Sequence, residues 1–130
     1  MSVARAIVTL AALRVRLPFA LALRPLDRVV TSAERGPAVD LDDPALTTAI
    51  EVVERWVRFA RVVPDTCLYR ALARWAVLRR AGRPVRFVMG VREGGADLVG
   101  HAWVEEHGAP LGEVLDAAYV VTYVHPASER

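Results

Sequence analysis

The sequence contains no lysine, one cysteine and three histidines among its 130 residues. A single cysteine, Cys67, excludes an internal disulfide framework and any Cys-x-x-Cys site. The histidines His101, His107 and His125 form no HExxH or HxH pattern, so we expect no zinc site. With 17 basic and 15 acidic residues the net charge is only +2, which argues against a general nucleic-acid binder.

A long uninterrupted hydrophobic run is also missing. The first 23 residues are strongly apolar, but Arg5, Arg14 and Arg16 interrupt them before a run of about 20 residues, the length that spans a bilayer, is reached. They also lack the single apolar region and the small-residue cleavage site of a secretory signal. We expect an apolar helix packed on the domain, with an interfacial membrane helix as the alternative. A cytoplasmic location without stable membrane insertion follows.

The periodicity of apolar residues predicts an α+β fold, with helices first and antiparallel strands second. Hydrophobic residues make up 54% and charged residues 25%, which is typical of one globular domain. We expect residues 1–44 to form an N-terminal helix, over about residues 3–17, and a Pro-rich connecting loop over residues 31–44. Residues 45–130 form the core. Its predicted elements are helices over about 44–62 and 67–80, and strands over 85–91, 98–105, from about 110, and 119–124.

Cys67 lies at the predicted start of a helix, after an Asp65-Thr66 capping signal. The unpaired N–H groups and the dipole of a helix start favour an anion, so they favour a thiolate and can bind a developing oxyanion. His101 follows 34 residues later, in the middle of a predicted strand. This order is typical of a papain-like nucleophile–base pair. The alternative is that Cys67 is a small buried apolar residue.

Two carboxylates, Glu113 and Asp116, are candidates for orienting the His101 imidazole. In a hairpin, the loop length decides which of them shares the face of His101. A three-residue loop over residues 106–108 ends at Gly108 and places Glu113 opposite His101, whereas a two- or four-residue loop would favour Asp116. Gly at the last loop position favours Glu113, and Asp116 remains the reserve.

Other charged residues give weaker signals. Glu51 with Arg55, and Glu54 with Arg58, have i,i+4 spacing, which predicts an exposed, solvated helix face. His107 is expected in an exposed turn and His125 in a flexible tail, both without a role in the chemistry.

Four motifs carry a resemblance to a known family: CLYRALA at residues 67–73, LRRAG at 78–82, VMGVR at 88–92 and HAWVE at 101–105. Together they resemble the transglutaminase-like cysteine peptidases that remove the leader in lasso-peptide biosynthesis, over about residues 60–124. The resemblance implies a transglutaminase-like core and a Cys-His-acid triad: Cys67 as nucleophile, His101 as general base, and Glu113 where the family usually has Asp. The short chain is expected to be the stand-alone peptidase half of a split B protein.

The same resemblance implies partners, namely a precursor peptide, a small leader-binding protein and an ATP-dependent macrolactam-forming cyclase. It implies no metal and no organic cofactor. Two other functions remain open on the sequence. The triad of this superfamily also supports acyl transfer to an amine, and a non-catalytic protein could present the precursor to another enzyme.

Overall fold

The computed structural model describes residues 1–127, in which four helices precede a four-stranded sheet. The helices are α1 (Val3–Leu23), α2 (Leu26–Glu34), α3 (Asp43–Ala60) and α4 (Cys67–Arg80). The strands are β1 (Val85–Gly94), β2 (Asp97–Glu106), β3 (Ala109–Pro110) and β4 (Val120–His125). The predicted α+β layout is confirmed.

Helix α1 continues past Pro18, where the sequence predicted its end. Ser2 caps its first turn by accepting a hydrogen bond from the Arg5 N–H, and Leu10, Leu13 and Leu17 are buried. Proline removes a backbone hydrogen bond from a helix interior. Packing of α1 against α3 and α4 outweighs that loss, because one apolar face continues through the proline.

By length and composition, α1 could cross a membrane: an 18-residue window has a mean hydropathy of 1.8. The expectation that its arginines rule out such a helix was therefore too strict. Arg14 is 1% exposed and pairs with Asp65, so it lies within the protein. The inner face of α1 contacts α3 and α4, as expected for an apolar helix packed on the domain.

Helix α2 occupies part of a region that the sequence predicted as a loop. Only residues 35–42 connect α2 to α3, so the prediction of a loop over residues 31–44 is wrong at its start. Val29, Val30 and Ala33 are buried, and α2 packs against α4. The nine residues of α2 are too few for the apolar periodicity of a helix to be recognised in the sequence. Residues before and after position 44, where the sequence analysis divided the chain, pack together in one hydrophobic core.

Helix α4 has the bounds that the sequence predicted, because both of its ends carry local signals. Thr66 caps the start by accepting a hydrogen bond from the Tyr69 N–H at 3.4 Å. At the other end Gly82 adopts φ 85°, and the N–H of Arg83 donates to the Leu78 carbonyl, as in a Schellman motif. The apolar side of α4 covers the sheet.

The sheet has the order β3-β2-β1-β4 and is antiparallel. Strand β1 is therefore central, and the last strand pairs with the first one. A Cβ on Gly90 of β1 would lie 3.0 Å from the Trp103 ring, the Tyr119 Cβ and the Val120 carbonyl oxygen. Only glycine leaves room at this position for β4 and the segment before it.

The hairpin between β2 and β3 has a two-residue loop, His107-Gly108, so the predicted three-residue loop is wrong. Glu106 pairs with Ala109 and Glu105 with Pro110. Both loop residues have positive φ, 54° and 79°, as a type I′ turn requires. The prediction assumed the left-handed conformation for Gly108 alone, whereas His107 adopts it too.

Candidate active site

Cys67 is the first residue of α4, as predicted, and its thiol is free and half-buried. Because the first backbone N–H groups of a helix have no partner within the helix, they point at whatever lies before it. At this position those groups can bind an oxyanion that forms beside the Cys67 sulfur.

His101 lies in the middle of β2, opposite Gly90 of β1. Its Nε2 lies 2.6 Å from Oε1 of Glu113, a short hydrogen bond in which the ring nitrogen donates to the carboxylate. The two side chains are 25% and 33% exposed, so water reaches the pair only partly. With Nε2 occupied by Glu113, Nδ1 is the ring nitrogen left for proton transfer.

Cys67, His101 and Glu113 line one recess between α4 and β2. The rest of its wall comes from both elements: Arg70, Ala71, Arg74, Ala102, Trp103 and Val104. Its free volume is about 10 Å³, the space of one water molecule. No hydrogen bond joins Cys67 to His101 within residues 1–127.

Glu113 reaches His101 by a route that the sequence argument did not foresee. With an even loop, strand register alone would have favoured Asp116. Strand β3 ends at Pro110, however, so register has no meaning beyond it. The Leu111 N–H still donates to the Val104 carbonyl at 2.8 Å, and Gly112 then turns the chain at φ 77°. This turn brings the next residue, Glu113, onto the imidazole.

An ion pair between α3 and α4 supports that turn. Both Arg74 Nη2 and Nε donate to the Glu54 carboxylate, at 2.7 and 3.1 Å. A Cβ on Gly112 would lie only 3.0 Å from Arg74 Nη1. The sequence placed Glu54 on a solvated face with Arg58. Its carboxylate instead points to α4, because Arg74 is close enough to bind it in two places.

Two aromatic rings flank the imidazole of His101. Trp103 stacks on it with ring centroids 5.8 Å apart, and Tyr119 lies at 5.6 Å on a tilted plane. The Tyr119 hydroxyl donates to Asp116 at 2.8 Å. That hydrogen bond, together with the charge of Arg92, holds the pKa of Asp116 below its ordinary value. Asp116 thus contacts Tyr119 rather than His101, and Tyr119 was missed at the sequence level.

The segment before Cys67 is anchored by a buried arginine. Arg14 of α1 donates to the Asp65 carboxylate at 3.0 Å, and Arg70 approaches the same oxygen at 3.4 Å. Burial raises the pKa of Asp65, but these two arginines outweigh it and leave the pKa below its usual range. Helix α1 thereby helps to fix the start of α4.

A second histidine–glutamate pair lies elsewhere in the fold. His125 Nε2 lies 2.9 Å from Oε2 of Glu34, and the imidazole meets the edge of Trp75 at 5.5 Å. The prediction of His125 in a flexible tail is wrong, because β4 pairs with the central strand. His107 is exposed in its turn, as predicted. Within residues 1–127, no group of three potential ligands is arranged to hold a metal ion.

Comparison with known protein families identifies the family of this chain. A model of the transglutaminase-like superfamily matches residues 5–127, nearly the whole chain. The chain belongs to the transglutaminase-like superfamily. Comparison with curated proteins and with solved structures gave no match. The superfamily is generally enzymatic and includes cysteine peptidases and acyltransferases. In this transglutaminase-like protein, the recess beside Cys67 is the candidate for such chemistry.

Proposed function

We propose that this transglutaminase-like protein is a cysteine peptidase that removes the leader from a lasso-peptide precursor. Cys67 acts as nucleophile, His101 as general base, and Glu113 orients the imidazole. The observation that carries the proposal is the 2.6 Å contact between His101 and Glu113 inside a recess that Cys67 also lines. A thiol at a helix start, an imidazole and a carboxylate in that arrangement are the parts of a nucleophilic triad.

Acylation begins when His101 takes the thiol proton of Cys67 on Nδ1. The thiolate attacks the carbonyl carbon at the leader–core junction, and the N–H groups at the start of α4 stabilise the oxyanion. His101 then gives its proton to the departing nitrogen, the C–N bond breaks, and the core peptide leaves with a free amine. The leader remains as a thioester on Cys67.

Deacylation repeats these steps with water. His101 takes a proton from the water molecule, the hydroxide attacks the thioester carbonyl, and the leader leaves with a free carboxylate. The sulfur regains its proton from His101, and the enzyme returns to its starting state. No metal or organic cofactor takes part in these reaction steps.

The lasso-peptide assignment is supported by the four sequence motifs, two of which contain Cys67 and His101. It brings a set of proposed partners: the precursor peptide, a small leader-binding protein and an ATP-dependent macrolactam-forming cyclase that uses the freed amine. We also propose a cytoplasmic location, where ATP is available to the cyclase.

The test is a reconstitution of precursor, leader-binding protein and this chain, with leader release followed by mass spectrometry. We expect Cys67→Ala and Cys67→Ser to reduce cleavage by about 10³-fold or more, as loss of a triad nucleophile does. His107→Gln, in the exposed turn, is the matched control and should cleave normally.

Two results would contradict the proposal. Full processing by Cys67→Ala would leave a non-catalytic, precursor-presenting role. Preferential capture of the acyl group by an added amine such as glycinamide, with little hydrolysis, would assign the protein to the acyltransferases of its superfamily.

A further inference from the structure

Three hollows on the surface adjoin one another, because each shares lining residues with the next. The recess at Cys67 shares three residues with a second cavity of about 320 Å³, and these are Arg70, Arg74 and Glu113. The second cavity shares Arg58 with a third, wider hollow of about 550 Å³. The hollows therefore form one path from the reactive centre, past the start of α4, to the C-terminal end of α3.

The acidic groups along this path already have partners. Glu54 is bound by Arg74, Asp65 by Arg14 and Arg70, and Glu113 by His101. The arginines therefore compensate the charges of Glu54 and Asp65, so these two carboxylates do not repel an acidic ligand, while Glu113 is engaged in a hydrogen bond with His101.

The basic groups at the far end of the path are not compensated. Arg55, Arg58 and Arg61 line the wide hollow, and none of them forms an ion pair with any of residues 1–127. Glu51, which the helical spacing places beside Arg55, forms no ion pair with it within the described residues. Three arginines within seven residues create a local positive potential that a negatively charged ligand would lower in energy.

Exposed apolar side chains lie among these arginines. Phe59 is 89% exposed and lines the hollow itself, while Val62 and Trp56 are 74% and 42% exposed. An exposed aromatic patch rimmed by arginine is typical of a binding surface, because both residue types contribute strongly when they become buried by a ligand.

We propose that this path, called here the α3 groove, binds an acidic and partly apolar segment of the peptide substrate on one side of the scissile bond. The inference rests on the proposed peptidase function and adds to it a substrate class. From Glu54 to Arg61 the α3 groove covers about 10 Å of helix, at 1.5 Å per residue. That length takes about three extended residues.

The probes are two fluorescein-labelled octapeptides that carry Phe and Leu. One of them also carries two Asp and two Glu, and the other carries Asn and Gln in their place. Binding is measured by fluorescence anisotropy on Cys67→Ala, so that no cleavage interferes. We expect the acidic peptide to bind about tenfold more tightly than its amide counterpart, and the difference to shrink at 0.5 M salt as screening increases.

The decisive variant is Arg55→Gln/Arg58→Gln/Arg61→Gln, which should bind the acidic peptide about tenfold more weakly. Its matched control is Arg24→Gln/Arg28→Gln/Arg35→Gln, which removes the same charge from α2 and from the C-caps of α1 and α2. Phe59→Ser should weaken both peptides equally. Circular dichroism and the melting temperature verify that each variant is folded.

Three results would overturn the proposal: equal affinity for the two peptides, an equal loss in the control variant, or no binding of either peptide at millimolar concentration. Displacement of the acidic peptide by an oligo(dT) strand, or stronger binding to phosphatidylglycerol vesicles than to peptide, would assign the α3 groove to another ligand. Preferential binding of the acidic peptide, together with no leader release by the unsubstituted protein in the reconstituted system, would retain the α3 groove and refute the peptidase. Leader release at an unchanged rate in the variant without the three arginines would retain the peptidase and refute the α3 groove.

Discussion

Two histidine–glutamate pairs in this protein have nearly the same local geometry and different surroundings. His101 and Glu113 lie 2.6 Å apart, His125 and Glu34 lie 2.9 Å apart, and all four side chains are partly buried. An aromatic ring lies against each imidazole. The hydrogen bond by itself therefore does not distinguish a reactive pair from a structural one.

The difference lies in what else each pair contacts. Cys67 at a helix start lines the recess of the first pair, which is open to solvent on one side. In the second pair Glu34 also binds Arg79 of α4 at 3.3 Å. That cluster joins α2, α4 and β4 and contains no nucleophile. A histidine–carboxylate pair becomes a candidate for catalysis only where a nucleophile and substrate access are added to it.

Replacing the two histidines should separate the pairs most strongly. We expect His101→Ala to lower kcat for leader removal by about 10³-fold or more, because the general base and acid are lost. His125→Ala should retain most of the activity and lower the melting temperature. Single-turnover kinetics and thermal denaturation measure the two effects. A fall in activity for both variants at unchanged stability would contradict the distinction.

Replacing the two glutamates should also affect activity in the first pair and stability in the second, with smaller effects than replacing the histidines. Glu113→Gln keeps the shape of the side chain and loses the charge that supports an imidazolium, so we expect kcat to fall by roughly 10²-fold. The melting temperature should change little, since Glu113 lies in a surface loop. The pH–rate profile is the readout that a purely structural role would not alter. An unchanged profile would remove Glu113 from the triad.

Glu34→Gln should affect stability and its dependence on pH. Burial raises the pKa of Glu34, but the hydrogen bond from His125 and the charge of Arg79 outweigh it, and the pKa lies below its ordinary value of 4.5. A carboxylate with a lowered pKa stabilises the fold above the unfolded value and loses that contribution as pH falls through the folded value. We expect a loss of about 1 kcal/mol in the free energy of unfolding at pH 7, after allowance for solvent screening.

Urea denaturation at several pH values checks this expectation. The difference between Glu34→Gln and the unsubstituted protein should be complete above about pH 4.5 and should decrease below it. A difference that persists unchanged at pH 3 would show that the carboxylate charge is not its cause.

The smallest effects are expected at the aromatic side of His101. Tyr119→Leu removes a ring from the imidazole and should lower kcat by about fivefold, whereas Tyr119→Phe keeps the ring. Asp116→Asn retains an oxygen that accepts from the Tyr119 hydroxyl, so activity should stay within about twofold. A loss for Asp116→Asn as large as that for Glu113→Gln would reopen the choice between the two carboxylates.

The elements around Cys67 could be read from the sequence because their signals are local. Thr66 and Gly82 mark the two ends of α4, and the apolar period between them predicts its buried side. The alternation along β1 and β2 similarly places His101 in mid-strand. Caps, turns and periodicity act over a few residues, so the chain itself determined the position of the thiol and of the imidazole within their elements.

What the tertiary structure alone decided involves residues far apart in the chain. Glu113 meets His101 through a turn that lies against Arg74, and Arg74 is held by Glu54, which lies 20 residues earlier on α3. Tyr119 reaches the imidazole because β4 returns to the central strand, and the same return gives His125 its carboxylate partner. Such contacts depend on the packing of separate elements and on loops without periodicity, so no local pattern encodes them.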